Sequence, residues 1–262
     1  MPSPTPDSRR RSRGATLGHA LGTLLTPAGE VDPAGPRQIE LRLASILTEE
    51  LTAPEVDIHR LATRWAELAN PGDGLDLWTR AALAHIRTHD APPARLGAGA
   101  SPAVLGRTLP LTLRTLAAPA NLVSGTYHLT TLTHPDEEFG WAAVAVQFAV
   151  SILVQGRRDF LPDTLAVLRN NSAPESLLQP LRRIPTLARE ELPATADGAV
   201  SGALIALWLA HHEPDLERGL TWLADPRQLP VAGVAGSLFG ARDGEGAFPA
   251  RWVSRISSEL RG

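Results

Sequence analysis

The sequence predicts a single all-α domain, and three observations lead to that prediction. Apolar residues recur mostly three or four positions apart, which is the spacing of one helix face. Strand-like alternation is nearly absent, and aromatic residues make up only 5% of the 262 positions. No linker, composition step or internal repeat divides the chain, and its 43% hydrophobic content is enough for one sizeable core. We therefore expect one helical bundle at residues 13–262, preceded by a disordered Pro-, Ser- and Arg-rich tail at residues 1–12.

The individual helices follow from this spacing and from the prolines that interrupt it. Ile58, Leu61, Trp65 and Leu68, for example, place four apolar side chains on one face between two prolines. The same reasoning predicts helices at about residues 41–51, 58–68, 77–86, 141–154, 174–183, 199–211, 215–223 and 231–241. Pro-rich breaks predict loops near residues 26–36, 91–102 and 186–196.

Two of these helices have unusual compositions. Residues 139–154 are the longest apolar stretch, but Gln147 interrupts it and it is shorter than the ~20 residues that span a bilayer. We expect it to be a buried core helix. Residues 231–241 are rich in Gly and Ala, which favours close approach to a neighbouring helix, and the segment is too short to cross a membrane.

Composition excludes several classes of function. The formal net charge of -3 argues against nucleic acid or an anionic membrane as a partner bound by bulk electrostatics. The absence of Cys excludes disulfides, thiolate metal sites and cysteine nucleophiles. Every Lys/Arg position is Arg, which is typical of a GC-rich bacterial genome. The basic run at residues 9–13 precedes an apolar stretch, but His19 interrupts that stretch, so we expect a soluble cytoplasmic protein without a signal peptide.

Four segments carry a resemblance to a known family. Residues 14–22 read GATLGHALG, residues 101–111 read SPAVLGRTLPL, and residues 131–136 read TLTHPD. Towards the end of the chain, residues 231–241 read VAGVAGSLFGA and are followed by AFPARW at residues 247–252. Together these segments resemble the ADP-ribosylglycohydrolase family, with Arg107, Pro110 and the Thr-His-x-Asp element around His134 matching it. The resemblance implies the all-α fold of that family.

The same alignment implies that the metal site of the family has been lost. In the family, two acidic motifs supply oxygen ligands to two Mg²⁺ ions, each of which needs about six. One motif aligns with residues 75–78, where Asp76 is the one acid left, and Thr23 stands where the opening helix has an acidic residue. The other aligns with residues 225–230, where ligand positions are occupied by Arg227, Leu229 and Pro230. We therefore expect no metal cofactor and no intact catalytic set, with Asp76 as the remnant catalytic candidate.

The resemblance also implies what is left of the pocket. Its expected lining residues are Thr23, Asp76, Leu77, Trp78, Arg107 and Arg227. Leu77 and Trp78 are expected to fill volume that the family gives to ions and water. Arg227 is expected either to pair with Asp76 or to lie in an exposed, Pro-flanked turn.

Other polar clusters are explained more simply as structural features. The turn around His134 begins a helix, and its acids suit an N-cap. Asp73 and Asp76 could form an acid/base pair, but neighbouring acids at a helix start are more often capping residues. Two histidine groups, at residues 85 and 89 and at residues 211–212, lack the further ligands of a metal site. The chain has no nucleophile elbow, phosphate loop or dinucleotide-binding fingerprint.

Three functions remain open at this stage. The leading one is a non-catalytic regulator or interaction protein with a remnant pocket, whose partner is a small nucleotide-like molecule or another protein. The second is an enzyme, either an ADP-ribosyl hydrolase or a metal-independent activity in the old cleft. The third is an obligate subunit with an apolar mouth at Leu75, Leu77 and Trp78. Convergent polar groups in the cleft would favour the enzyme, a filled cleft the regulator, and an open apolar cleft the subunit.

Overall fold

The architecture is all-α, as the sequence predicts. The computed structural model describes residues 5–53, 55–69, 74–95 and 100–256. Across those residues there are fourteen α-helices and no β-strand, apart from one isolated bridge between Leu25 and Val31. The helices are α1 Pro6–Thr23, α2 Gln38–Glu50, α3 Ile58–Leu68, α4 Leu77–His89, α5 Val104–Arg107, α6 Leu109–Arg114, α7 Pro119–Thr131, α8 Glu137–Val154, α9 Leu161–Asn170, α10 Glu175–Arg182, α11 Gly198–His212, α12 Leu216–Trp222, α13 Ala232–Asp243 and α14 Ala250–Val253.

The closest helix pair joins the two ends of the chain. Helices α1 and α13 carry small residues four positions apart, and these residues face one another. A Cβ atom added to Gly14 or Gly18 would lie closer than 3.0 Å to a backbone carbonyl oxygen of α13. The reverse holds for Gly236 and Gly240, which would meet carbonyl oxygens of α1. The prediction of close approach by the Gly/Ala-rich helix is confirmed.

Helix α8 forms the centre of the main core. Its apolar residues pack against α1, α11 and α13, and the run from Ala142 to Val146 is almost completely buried. By length and composition α8 could cross a membrane, since its mean hydropathy is 1.4, but 78% of it is buried inside the protein. This helix is therefore the core helix of a bundle, as predicted.

A second, smaller core lies between α2, α3 and α4. It is built around Trp65 and Leu43, both fully buried, and the Trp65 indole N–H donates to the Leu43 carbonyl oxygen at 2.9 Å. The apolar side chains whose spacing predicts α3 lie on the helix face that packs into this cluster. The cluster fixes α4 and thereby the position of Asp76, which lies directly before it.

The structure also contains helices that the apolar spacing does not predict. Helices α5, α6, α7 and α9 lie outside the predicted set. In α7 the buried face includes Thr126 and Thr130, so the apolar periodicity is interrupted by polar residues that are nevertheless inside. The predicted loop at residues 186–196 contains 3₁₀ turns at Ile184–Thr186 and Arg189–Glu191.

The tail predicted as disordered is largely helical. Helix α1 begins at Pro6, inside the segment 1–12, whose first four residues lie outside the described ranges. Thr5 caps the helix by accepting from the Ser8 N–H at 3.1 Å, and Asp7 forms an ion pair with Arg11 at 2.8 Å. Arg11 also donates to the carbonyl oxygen of Arg242 at the end of α13. The composition of residues 1–12 predicts disorder. Helix α1 nevertheless extends into this segment, because Thr5 caps it and Arg11 binds the end of α13.

Replacing Gly18 with Ala should destabilise the protein, because the added methyl group would collide with the backbone of Gly236. Overpacking of this kind costs about 1–3 kcal/mol, and a backbone neighbour cannot move aside as a side chain can. Urea denaturation would measure the change. Gly246→Ala is the matched control, since no atom lies within 4 Å of its added Cβ. Equal stabilities for the two variants would contradict the close packing of α1 on α13.

Candidate functional site

A cleft lies where the N-terminal and C-terminal parts of the chain meet. Its cavity has a volume of about 260 Å³. It is lined by His19 and Thr23 of α1, Arg37 and Glu40 at the start of α2, Gly74 and Asp76 before α4, Ser101 and Ala103 before α5, and Pro230, Gly233 and Val234 around the start of α13. A smaller cavity of about 150 Å³ adjoins it and shares Thr23 and Arg37.

Asp76 lies in this cleft as the N-cap of α4. Its Oδ1 atom accepts from the backbone N–H groups of Trp78 and Thr79 at 2.9 and 3.0 Å. Its Oδ2 atom accepts from the Thr79 hydroxyl at 2.6 Å. Both carboxylate oxygens are therefore committed to the first turn of the helix, which a negative charge stabilises.

Beneath the cleft lies a buried ion pair between Arg107 and Glu40. The Arg107 side chain is 1% exposed, and its Nη2 atom donates to Glu40 Oε2 at 2.9 Å. The remaining guanidinium donors reach the hydroxyls of Thr133 and Thr79 at 2.9 and 3.1 Å. Because Thr79 also donates to Asp76, one continuous network joins Glu40, Arg107 and Asp76. Arg107 supports the floor of the cleft and does not line it.

Arg37 brings an isolated cation into the cleft. Its Nη1 atom donates to the Leu229 carbonyl oxygen at 2.9 Å. No carboxylate of the described residues lies within ion-pair distance of it, and burial lowers the pKa of Arg37 to about 10. A guanidinium has five N–H donors, so most of its hydrogen-bonding capacity is unused.

Two buried histidines near the cleft are held neutral. Burial lowers the pKa of His19 to about 4, although its Nδ1 atom lies 3.2 Å from the Gly233 carbonyl oxygen. Burial also lowers the pKa of His134 to about 4, and the positive charge of Arg107 acts in the same direction. The Nε2 atom of each ring is buried without a hydrogen-bond partner.

Of the six residues predicted to line the pocket, Thr23 and Asp76 do so. The prediction for Leu77 is wrong, because it follows the cap residue on the outer face of α4 and is 68% exposed. Trp78 is partly buried and packs on the main core. Arg107 lies below the cavity because its charge is neutralised by Glu40.

Arg227 does not pair with Asp76. Its guanidinium forms an ion pair with Asp225 at 3.0 Å, two positions away in the same turn, and its side chain is 65% exposed. The Asp225 carboxylate is the nearer partner. Of the two expected outcomes for Arg227, pairing with Asp76 or a place in an exposed turn, the second is observed. Pro230, five positions after Asp225, nevertheless lies in the same cavity as Thr23 and Asp76.

The remaining predicted clusters are structural where they are described. Asp136 caps α8 by accepting from the Glu138 N–H at 2.8 Å, as expected for an acid in the turn around His134. His85 and His89 stack with ring centroids 4.2 Å apart. The Nε2 atom of His212 lies 2.6 Å from the Ile184 carbonyl oxygen. Asp73, the possible partner of Asp76, and the glycines at 97 and 99 lie outside the described residues.

Three ionisable lining residues, His19, Arg37 and Glu40, are absent from the predicted pocket set. His19 interrupts an apolar stretch of the sequence, and Arg37 directly follows the predicted loop at residues 26–36. Glu40 lies between Ile39 and Leu41, which are both buried. An acid between two apolar positions of a helix is the sequence feature that could have indicated its burial. Such an acid needs a buried cation as partner, which Arg107 supplies.

A family model described as ADP-ribosylglycohydrolase matches residues 4–261. The chain belongs to the ADP-ribosylglycohydrolase family. A solved structure described as "ADP-ribosylglycohydrolase-related protein complex" is similar to it, with a TM-score of 0.76 and 23% identity over 98% of this chain and 96% of that chain. At this identity the likeness shows a shared fold. No curated relative matches the chain.

The side chains in the cleft do not fit the two Mg²⁺ ions that the ADP-ribosylglycohydrolase resemblance implies. Leu229 and Pro230 offer no side-chain oxygen, and the Asp76 carboxylate is occupied by Trp78 and Thr79. The Arg37 guanidinium lies against the Leu229 carbonyl oxygen. Among the residues that the structure describes, no group of three or more His, Asp or Glu side chains converges. A hard dication needs about six oxygen ligands, which this donor set does not supply.

Replacing Arg107 with Met should be strongly destabilising, because Glu40 would lose its guanidinium partner while staying buried. Breaking a buried pair typically costs about 3–5 kcal/mol. Denaturant unfolding would measure it, with Arg183→Met as the control, since Arg183 pairs with Glu191 on the surface and should change stability by less than about 1 kcal/mol. The double variant Glu40→Gln/Arg107→Met should lose less than the sum of the single variants. Additive losses would show that the pair is not coupled.

Acidification should unfold the protein through its buried histidines. His19 and His134 have folded pKa values of about 4, below the ordinary value of 6.5. The unfolded chain therefore binds more protons between these values, so stability is complete above about pH 6.5 and falls as the pH drops towards 4. Each histidine contributes a slope of at most about 1.4 kcal/mol per pH unit. In stability measurements against pH, His19→Gln should reduce the slope, whereas the exposed-site variant His89→Gln should leave it unchanged. A pH-independent stability across this window would contradict neutral burial.

Proposed function

We propose that this ADP-ribosylglycohydrolase-family protein is a non-catalytic member that acts as a regulatory or interaction protein through a small-molecule site in the remnant cleft. The observation that carries the proposal is the state of the two acids in the cleft. Asp76 is occupied as a helix cap, and Glu40 is bound by Arg107. Asp76 already accepts three hydrogen bonds from the first turn of α4, and both oxygens of Glu40 accept from Arg107, which disfavours metal binding or water activation by either acid.

The size and lining of the cleft favour a small polar ligand. A volume of about 260 Å³ is below the range of about 300–1,000 Å³ typical of ligand pockets, and the adjoining cavity extends it. The hydroxyl of Thr23, the guanidinium of Arg37 and the side chain of Ser101 converge there. The ligand class that fits the proposal is a nucleotide-like metabolite or a fragment of one, and the proposed location is the cytoplasm.

An active hydrolase is the second candidate, and a specific observation favours it. Convergent polar groups in the cleft were the outcome expected for an enzyme, and two acids, Asp76 and Glu40, line one cavity. Acid pairs of this kind perform glycoside hydrolysis when one can donate and the other accept a proton. The ion pair with Arg107 opposes that division of roles, because both oxygens of Glu40 already accept hydrogen bonds from the guanidinium.

An obligate subunit is less favoured. It requires an open apolar mouth formed by Leu75, Leu77 and Trp78. Leu75 is buried, Trp78 is partly buried and Leu77 alone of the three is largely exposed. Scattered surface leucines are normal in proteins and do not by themselves make a docking surface.

We predict that the purified protein binds ADP-ribose without releasing it from arginine-, serine- or nucleic-acid-linked substrates. Calorimetric titration of ADP-ribose with and without Mg²⁺ would show whether the affinity is independent of metal, as expected from the donor set. Metal analysis after dialysis against Mn²⁺ should find no stoichiometric ion.

Two results would contradict this prediction. Robust hydrolysis by the unmodified protein, abolished by Asp76→Ala, would establish the hydrolase and end the non-catalytic proposal. Absence of both ADP-ribose binding and hydrolysis would end the proposal of a nucleotide-like ligand. Leu77→Ala serves as the control variant, since its side chain is exposed and does not line the cavity.

A further inference from the structure

The cleft contains a cation in the region where the ADP-ribosylglycohydrolase alignment leads one to expect metal ligands. The sequence suggested Arg227 for this role, but that guanidinium is bound by Asp225 on the surface. Arg37 is the residue that reaches the region, because its Nη1 atom contacts the carbonyl oxygen of Leu229 at 2.9 Å. Its other donors make no hydrogen bond with the described residues, and it lines both adjoining cavities.

Thr23 supplies an independent second observation. Its residue is 6% exposed and it lines both cavities. No hydrogen bond of the described residues uses its hydroxyl, so the hydroxyl is available to a group in the cavity. Gly233 keeps the space beside this hydroxyl open, since an added Cβ would lie closer than 3.0 Å to Thr23 Oγ1.

The surrounding charges and dipoles favour a negative ligand group. The N-terminal end of α13 begins next to Pro230 and Gly233, has no side-chain cap and carries the positive end of the helix dipole. The Glu40 carboxylate is paired with Arg107, which leaves Asp76 as the remaining acid of the larger cavity. Asp32 lines the adjoining cavity, where it forms no ion pair with Arg37 and accepts from the Ala34 N–H at 3.0 Å. Asp76 is itself stabilised by the N–H groups of α4.

We propose that Arg37 and the hydroxyl of Thr23 bind a phosphate group of a small molecule directly, without a metal ion, at the N-terminal end of α13. Guanidinium forms paired hydrogen bonds to phosphate oxygens, and a hydroxyl supplies a further donor. This inference rests on the proposed ligand-binding function and goes beyond it by naming the chemical group recognised and the residues that recognise it.

The direct test is a calorimetric titration of inorganic phosphate into the full-length protein in chelator-treated buffer. The unmodified protein should bind, and Arg37→Gln should bind about ten- to a hundredfold more weakly, the loss expected for charged hydrogen bonds. Arg227→Gln is the matched control and should bind as the unmodified protein does, because its guanidinium is engaged by Asp225. Equal affinity in Arg37→Gln and Arg227→Gln, or no binding by the unmodified protein, would overturn the proposal.

Two further variants separate this role from a structural one and from metal binding. Arg37→Lys keeps the charge but loses the paired donors, so its phosphate affinity should be intermediate. Asp76→Asn keeps the cap, since Asn is as good an N-cap as Asp, and should tighten phosphate binding by removing a negative charge. Addition of Mg²⁺ should not change the phosphate affinity of either variant. Phosphate binding that requires Mg²⁺ and is abolished in Asp76→Asn would replace direct recognition with a metal bridge.

Failure of the phosphate-binding proposal and failure of the proposed function would give different results. If ADP-ribose binds the unmodified protein and Arg37→Gln equally, the ligand-binding function stands and the role of Arg37 is refuted. If ADP-ribosyl substrates are hydrolysed while phosphate affinity still depends on Arg37, the non-catalytic function is refuted and the phosphate site stands. Circular dichroism and thermal midpoints of the variants would confirm that each remains folded.

Discussion

The contact between α1 and α13 is the constraint on which the rest of this structure depends. Gly14, Gly18, Gly236 and Gly240 allow two backbones to approach so closely that no side chain could stand between them. This packing joins the beginning of the chain to its last third and gives the main core two of the surfaces that α8 packs against. It also decides where the cleft forms, because the C-terminal end of α1 is held beside the N-terminal end of α13.

The floor of the cleft depends on a second requirement, which is that buried charges must be paired. Arg107 and Glu40 satisfy each other, and the hydroxyls of Thr79 and Thr133 take up the remaining guanidinium donors. The positive charge of Arg107 also helps to keep His134 neutral. A residue whose motif suggested ligand contact thus has a supporting role, since its guanidinium is engaged by Glu40, Thr79 and Thr133 inside the protein.

The family fold and the side chains of the cleft are separate features of this molecule. The fold of the ADP-ribosylglycohydrolase family is retained over nearly the entire chain, and residues from the N-terminal and C-terminal motifs lie around one cavity. Leu229 and Pro230 offer no side-chain oxygen there, and the guanidinium of Arg37 lies against the carbonyl oxygen of Leu229. A fold can keep its packing while a site changes its charge, because the core glycines and the lining residues are different positions.

The sequence predicted the fold class and the close packing of the Gly/Ala-rich helix from helical spacing and composition, and its family resemblance led us to expect Thr23 and Asp76 in one pocket. It did not determine which cation enters the cleft, since Arg227 and Arg37 look alike in sequence and their surroundings alone distinguish them. Asp225 neutralises one on the surface, whereas the other is carried by the start of α2 to the carbonyl oxygen of Leu229, 192 positions away in the chain. Helix α7 and the helical part of the tail were likewise decided by tertiary contacts, because buried threonines and docking on α13 leave no apolar period to detect. Local patterns report on local structure, and only the packing of distant segments decides which charges are neutralised and which remain available.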